Sequence, residues 1–328
     1  MRAGRNLVAI VFGQDESGMS LSLSVEPSEK LAIVGVSGSG KSFLAGLMAE
    51  QWMIAGARVV VLDPVGIFFG LRTSFERDPT GGMPIRIYGG ARMDEQLPQP
   101  EEMARRIASG ADWSAVLDFS CMPFASVHWY AAEFLNALGA LGPRIVAPMH
   151  LIVEETPIFA PQTGSLSKYQ RDCRAAFAQC ARVYRNFGVG MTFVTQRAAA
   201  VDKGILSQCG SIVALRVAAR LDKRAVLDWM AQNAGDVDVP AALEKLSVAK
   251  PGHGMVWSPT WGGESVGGRS FKVLPRATYH PDPRKLNENR SVELCPPPVR
   301  VASTQRRAPS PLYVLGELAG RLLNPVVR

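Results

Sequence analysis

The sequence predicts an α/β fold with a mainly parallel sheet covered by helices on both faces. Three observations predict it. Short apolar runs alternate with helical patterns through residues 1–260, the signature of strands joined by crossover helices. One apolar run passes through a Gly/Ser loop straight into an amphipathic helix. Two further runs end in carboxylates, at Asp63 and at Glu154-Glu155, and open parallel sheets bind ligands beyond the carboxyl ends of their strands.

The elements follow in order. Residues 7–12 and 21–25 read as two short strands, and residues 30–34 as a compact buried strand. Residues 43–53 carry Leu44, Leu47, Met48 and Trp52 on one helical face. Residues 58–62 form a buried strand stopped at Asp63-Pro64, and residues 84–88 and 115–119 are further strands, the last holding Asp118. Residues 123–141 are helical, 145–153 strand-like despite Pro148, 168–187 helical and 190–195 a strand. A strand at 211–217 and a helix at 221–232 complete the alternation. From residue 278 the composition changes to His280-Pro-Asp-Pro and Cys295-Pro-Pro-Pro298, which disfavours regular elements. Two units are therefore expected, 1–277 as the α/β domain and 278–328 as a basic Pro-rich linker. The linker ends in a short amphipathic helix with Leu312, Leu315, Leu318 and Leu322 on one stripe.

Composition narrows the class. The chain has 328 residues, 47% of them hydrophobic and 20% charged, enough for a large core without disulfide or metal staples. No apolar run is long enough to span a bilayer, and the expected location is cytoplasmic. The five cysteines form no C-x-x-C pair and the four histidines show no ligand spacing, so neither a disulfide framework nor a zinc site is expected. The net charge of +7 is uneven: residues 269–328 hold 11 Lys+Arg against 4 Asp+Glu, and the rest balances. Such a basic tail suits a polyanion.

Gly35-Val-Ser37-Gly38-Ser39-Gly40-Lys41-Ser42 matches the full phosphate-loop pattern in the required strand–loop–helix context. Its glycines let backbone N–H groups turn inward on a phosphate chain, and the helix that follows adds its positive end. Lys41 would contact the β and γ phosphates and the Ser42 hydroxyl would hold Mg²⁺, making ATP and Mg²⁺ the expected cofactors. Hydrolysis also needs an acid near the metal and a group that activates water. Glu154 is assigned to the metal side and Glu155 to the water, because neighbouring strand residues point to opposite sides. Asp63 is a further nucleotide-side carboxylate, or else caps the turn at Pro64. Gln196, after the next strand, can donate to a γ-phosphate and accept from water.

These pieces together resemble the HerA/FtsK superfamily of ring-forming P-loop ATPases, on the HerA-like side. The resemblance rests on Gly35–Ser42, Val59-Val-Val-Leu-Asp63-Pro, Leu151-Ile-Val-Glu-Glu155, the run from Arg185 to Thr195-Gln-Arg197, and the segments ending at Arg216 and Asp228. It implies a RecA-like P-loop NTPase core, a homohexameric ring and ATP-driven movement along double-stranded DNA without sequence preference. It also implies an arginine reaching the neighbour's nucleotide, with Arg185 first, Arg216 second and Arg182 third. Fewer than 30 residues precede the phosphate-loop strand, so the likeness is to a minimal motor core. DNA contacts are expected from loops 71–82, with Arg72 and Arg77, and 160–168, or from the tail residues Arg284, Lys285, Arg306 and Arg307. The alternative is an ATP-gated assembly or regulatory switch that grips a protein partner through the C-terminal helix. A transporter-type ATPase is disfavoured, because no Leu-Ser-Gly-Gly-Gln signature precedes the acidic strand.

Overall fold

The computed structural model describes residues 8–146, 148–162, 167–233, 239–258, 266–282 and 285–298. Arg284, Arg306, Arg307 and the 312–323 stripe lie outside the described residues.

The chain opens with β1 (Val8–Gln14), β2 (Ser20–Val25) and β3 (Lys30–Val34), then α1 (Lys41–Ile54) and β4 (Arg58–Asp63). β5 (Arg86–Gly89), α2 (Pro100–Ser109), β6 (Ala115–Asp118) and α3 (Phe124–Leu141) follow. Next come β7 (Met149–Val153), α4 (Thr156–Phe159), α5 (Lys168–Val183), β8 (Val189–Thr195) and α6 (Lys203–Leu206). The last are β9 (Ser211–Ala214), α7 (Arg220–Asn233), α8 (Val239–Ser247), β10 (His253–Ser258), β11 (Val266–Val273) and α9 (Leu286–Arg290).

All the described strands join one sheet in the order β2-β1-β11-β10-β9-β3-β8-β7-β4-β6-β5. From β9 to β5 every pairing is parallel, and β10, β11, β1 and β2 extend it antiparallel. The central strands β3, β4, β7 and β8 are buried along their whole length. That is why they read as continuous apolar runs and not as alternating ones. One face packs on α2, α3, α5 and α7, with Phe134, Phe177 and Trp229 in its core. The other packs on α1, whose Leu44, Leu47, Met48 and Trp52 are buried as the helical spacing predicts.

Several segments depart from the sequence reading. The 145–153 stretch is strand only from Met149, because Gly142–Arg144 forms a 3-10 turn and Pro148 still precedes the ladder. Helix α2 was not anticipated, although Met103, Ala104, Ile107 and Ala108 line a buried stripe. Its ten residues give a short periodic signal. β10 and β11 were also missed as strands. The region after residue 278 is not a loose linker where it is described, and α9 is a regular element within it. Arg92 donates to the carbonyls of Asn289 (2.9 Å) and Arg290 (2.7 Å) at the end of α9. Arg72 donates to the carbonyl of Cys295, and Arg86 to that of Pro298. The helix end and the proline-rich stretch leave these carbonyls without a ladder, and buried or half-buried arginines take them up. Among the described residues no helix is long and apolar enough to cross a membrane.

His150 shows how β7 tolerates a polar residue at the centre of the sheet. It is fully buried and stacks on Trp52 with ring centroids 4.6 Å apart. Its Nδ1 lies 2.8 Å from the Pro27 carbonyl, which can only accept, so Nδ1 carries the proton. Nε2 then accepts from the Thr192 hydroxyl at 2.7 Å, and the ring is neutral. Burial pushes its pKa from 6.5 down to about 4. Between those values the unfolded chain binds a proton that the native ring refuses. Stability is therefore full above pH 6.5 and falls as pH drops toward 4, by about 3 kcal/mol from this residue. Denaturant unfolding at pH 7 and pH 4.5 checks it: the difference between the two pH values shrinks by about 2–3 kcal/mol in His150→Gln. An unchanged difference removes His150 as the source.

Candidate nucleotide and metal site

The site lies at the carboxyl edge of β3, β7 and β8. After Val34 the chain is tied to both neighbouring strands. Gly35 donates to the Thr195 carbonyl at 3.2 Å, and Val36 to the Arg216 carbonyl at 2.7 Å. Gly38 and Gly40 then take φ of +74° and +102°, where a side chain would be strained. Gly40 caps α1 with no side-chain hydrogen bond, so the first N–H groups of the helix stay available to an anion. Ser39 is also held from behind, its carbonyl accepting from Gly252 N–H at 2.9 Å. That support was missed in the sequence, and the Pro251-Gly252 turn before β10 was its only signal.

Lys41 is buried, and its Nζ donates to the Val36 carbonyl at 3.1 Å. Burial pulls its pKa down, while the charges of Glu154 and Glu155 hold it up. The Ser42 hydroxyl donates to Glu154 Oε1 at 2.5 Å. Glu154 is 2% exposed, and its other oxygen, Oε2, has no hydrogen-bond partner. Burial pushes its carboxyl up to about 8; the Ser42 hydrogen bond lowers it, and Asp63 and Glu155 add to the rise. A hydroxyl and an unpartnered carboxylate oxygen on one side of a phosphate loop are hard donors suited to Mg²⁺. The residues present fit that ion.

Glu155 leaves the strand at once. Its backbone has φ +45°, a conformation costing about 1–3 kcal/mol for a non-glycine residue. The kink is locked by the Thr156 hydroxyl, which lies 3.2 Å from the Val153 carbonyl and 3.0 Å from that of Val194. Glu154 and Glu155 are thus separated by a turn and not by simple strand alternation. Glu155 faces β8, and Gln196 Nε2 donates to its Oε1.

The other expected residues have other partners or other places. Asp63 is corrected from a nucleotide-side group to the anchor of its own loop. It is wholly buried, and its two oxygens accept from the N–H groups of Val65, Gly66, Ile67 and Phe68 at 2.8–3.0 Å. Four donors occupy the acceptor sites of one carboxylate. Burial, with Asp118 close by, raises its pKa to about 6. Arg216 is exposed beside the phosphate loop. Arg185 is at the opposite end of β3, about 16 Å away by strand rise, and pairs with Glu29 at 2.7 Å. Arg72 is corrected as a DNA contact. It is 1% exposed and pairs with Asp94 at 2.6 Å. Arg77 pairs with Glu288 at 3.1 Å and lies over the Tyr279 ring, and Lys285 pairs with Glu288 too. Of loop 160–168, residues 163–166 lie outside the described residues.

Residues 11–97 match the family model for the central domain of helicase HerA. The chain is 32% identical over 105 residues to the DNA double-strand break repair helicase HerA of Pyrococcus furiosus, covering 32% of this chain and 18% of that protein. It is 33% identical over 82 residues to the protein of the same name from Saccharolobus solfataricus, covering 25% and 15%. The matched stretch thus spans less than a fifth of either relative. The structure resembles VirB4 of Thermoanaerobacter pseudethanolicus with a TM-score of 0.54, at 12% identity, over 84% of this chain and 98% of that one. At that identity the likeness concerns the fold alone.

Proposed function

The chain is HerA-like over its phosphate-loop segment and has the P-loop NTPase fold, and from that premise we propose that it hydrolyses ATP to drive movement along double-stranded DNA as a homo-oligomeric ring. The observation that carries the reading is the convergence of Lys41, Ser42, Glu154, Glu155 and Gln196 at one sheet edge, with a buried carboxylate oxygen left unpartnered.

The backbone of residues 35–40 cradles the phosphate chain, and Lys41 exchanges its Val36 carbonyl for the β and γ oxygens. Ser42 and Glu154 would hold Mg²⁺, which would screen the phosphate charge when bound. Glu155 takes the proton from the attacking water. Gln196 orients Glu155 and, by donating to the γ-phosphate in turn, distinguishes ATP from ADP. Arg216 sits beside this chain's own phosphate loop, its carbonyl accepting from Val36 N–H. Arg185 faces away from it and must exchange Glu29 for a neighbour's phosphate to act across a ring. That arginine is worth about 10³–10⁵ in rate where such fingers operate.

ATP hydrolysis measured with and without duplex DNA tests the reading, with Lys41→Ala as the inactive control. Hydrolysis stimulated by duplex is the expected result, together with a multi-subunit mass in a non-hydrolysable ATP analogue. A chain that stays monomeric and leaves ATP intact whatever DNA is supplied overturns it. Stimulation by a protein and not by DNA would favour the switch.

A further inference from the structure

Helix α5 carries a second charged feature that the nucleotide site does not use. Its inner stripe, Cys173, Ala176, Phe177, Cys180 and Ala181, is buried. Its outer stripe carries Arg171, Arg174 and Arg182, separated by Ala175 and Ala178. Between this stripe and Gly204 of α6 runs an open groove of about 280 Å³. Three guanidinium groups stand along about 16 Å of helix, over a floor of methyl groups and a glycine. Among the described residues that line the groove the one carboxylate, Asp202, is already engaged. It accepts from Gly204 N–H at 2.8 Å and faces Arg174 Nε at 3.7 Å.

We propose that this groove binds successive phosphates of a nucleic-acid backbone. The inference rests on the DNA reading above and names where that polymer is held. Guanidinium forks match phosphate oxygens in paired geometry, and a row of them suits a ligand whose charge repeats. Among the described residues that line it, the groove offers no large apolar or aromatic anchor of the kind that dominates protein–protein contacts. Its walls also connect to the chemistry. α5 follows the strand that ends at Glu154-Glu155, and α6 follows the strand that ends before Gln196. A phosphate pressed between α5 and α6 therefore bears on both segments downstream of the Glu155–Gln196 contact.

The test is duplex binding of the full chain, measured by fluorescence anisotropy from 50 to 300 mM salt. The variant is Arg171→Gln/Arg174→Gln/Arg182→Gln. Each phosphate contact contributes about 0.9 to the slope of log affinity against log salt. The triple variant is expected to flatten that slope by about 2.7, and Arg171→Gln/Arg182→Gln by about 1.8. The second variant spares Arg174 and its contacts with Asp202, so it serves if the triple variant fails to fold. If wild-type chain binds duplex and the folded variants keep its slope, the groove is not the phosphate track, while the translocase reading stands. Loss of oligomer mass with an unchanged slope makes the groove a contact between copies and also overturns the proposal. Wild-type chain that binds no duplex at any salt ends both readings.

Discussion

Glu155→Gln lowers ATP turnover by about 10²–10⁴, the range a positioned general base supplies, and leaves nucleotide affinity within a few-fold of wild type. Glutamine keeps the shape of the side chain and can still meet Gln196, so the kink at φ +45° stays supported by Thr156. What it loses is the capacity to take a proton from water. Lys41→Ala is expected to behave differently, because the proposed role of that charge is to meet the phosphates in the ground state as well as in the transition state. Steady-state kcat and KM, with binding of a fluorescent ATP analogue, separate the two. A Glu155→Gln chain that turns over ATP at the wild-type rate would take the base role from Glu155. A chain that no longer binds nucleotide would make its role structural.

Glu50→Ala is expected to destabilise the fold by about 3–5 kcal/mol, the cost of breaking a buried ion pair from one side. Glu50 and Arg276 are each 2% exposed in their side chains and lie 3.2 Å apart. The Glu50 carboxylate also accepts from the N–H groups of Ala277 (2.9 Å) and Thr278 (3.0 Å) and from the Thr278 hydroxyl. Removing it strands a buried guanidinium and two backbone donors. The Arg276 side chain crosses α1 at Gly46, where an added Cβ would meet Nη1 at 2.0 Å, and it packs over Phe43, next to Ser42. The loss therefore reaches the helix that presents the phosphate loop. Denaturant unfolding of wild type, Glu50→Ala and Glu50→Ala/Arg276→Met measures it. The double variant recovers part of the loss if the stranded charge is the cause. A single-variant cost below about 1 kcal/mol, the value of an exposed pair, would refute it.

The phosphate loop, the Glu154-Glu155 strand and the Gln196 strand were legible because each chemical group follows a short apolar run within a few residues. Strand β7 carries Glu154 and Glu155 at its end, and β8 carries Gln196 at its end. Because β3, β7 and β8 are neighbours in the parallel sheet, their ends meet at one edge. α2, β10 and β11 escaped because their signals are short, or depend on which strand lies beside them. Loop 71–82 looked like an exposed basic loop, yet Arg72 is buried against Asp94 and the Cys295 carbonyl. That partner lies 223 residues away in the chain, beyond the reach of local pattern.

Local covalent order was enough to specify most of the element types, the glycine loop between β3 and α1, and the side chains delivered to the sheet edge. Those depend on neighbours within one turn or one strand, where spacing and residue type dictate geometry. Folding in three dimensions assigned the partners. It turned Asp63 inward onto four N–H groups, left one oxygen of Glu154 without a donor, and laid residues 276–282 along α1 and residues 285–298 along the 71–95 region. Whether a carboxylate binds a cation or anchors a loop depends on which donors are near it in space, and that is set by packing between segments far apart in the chain.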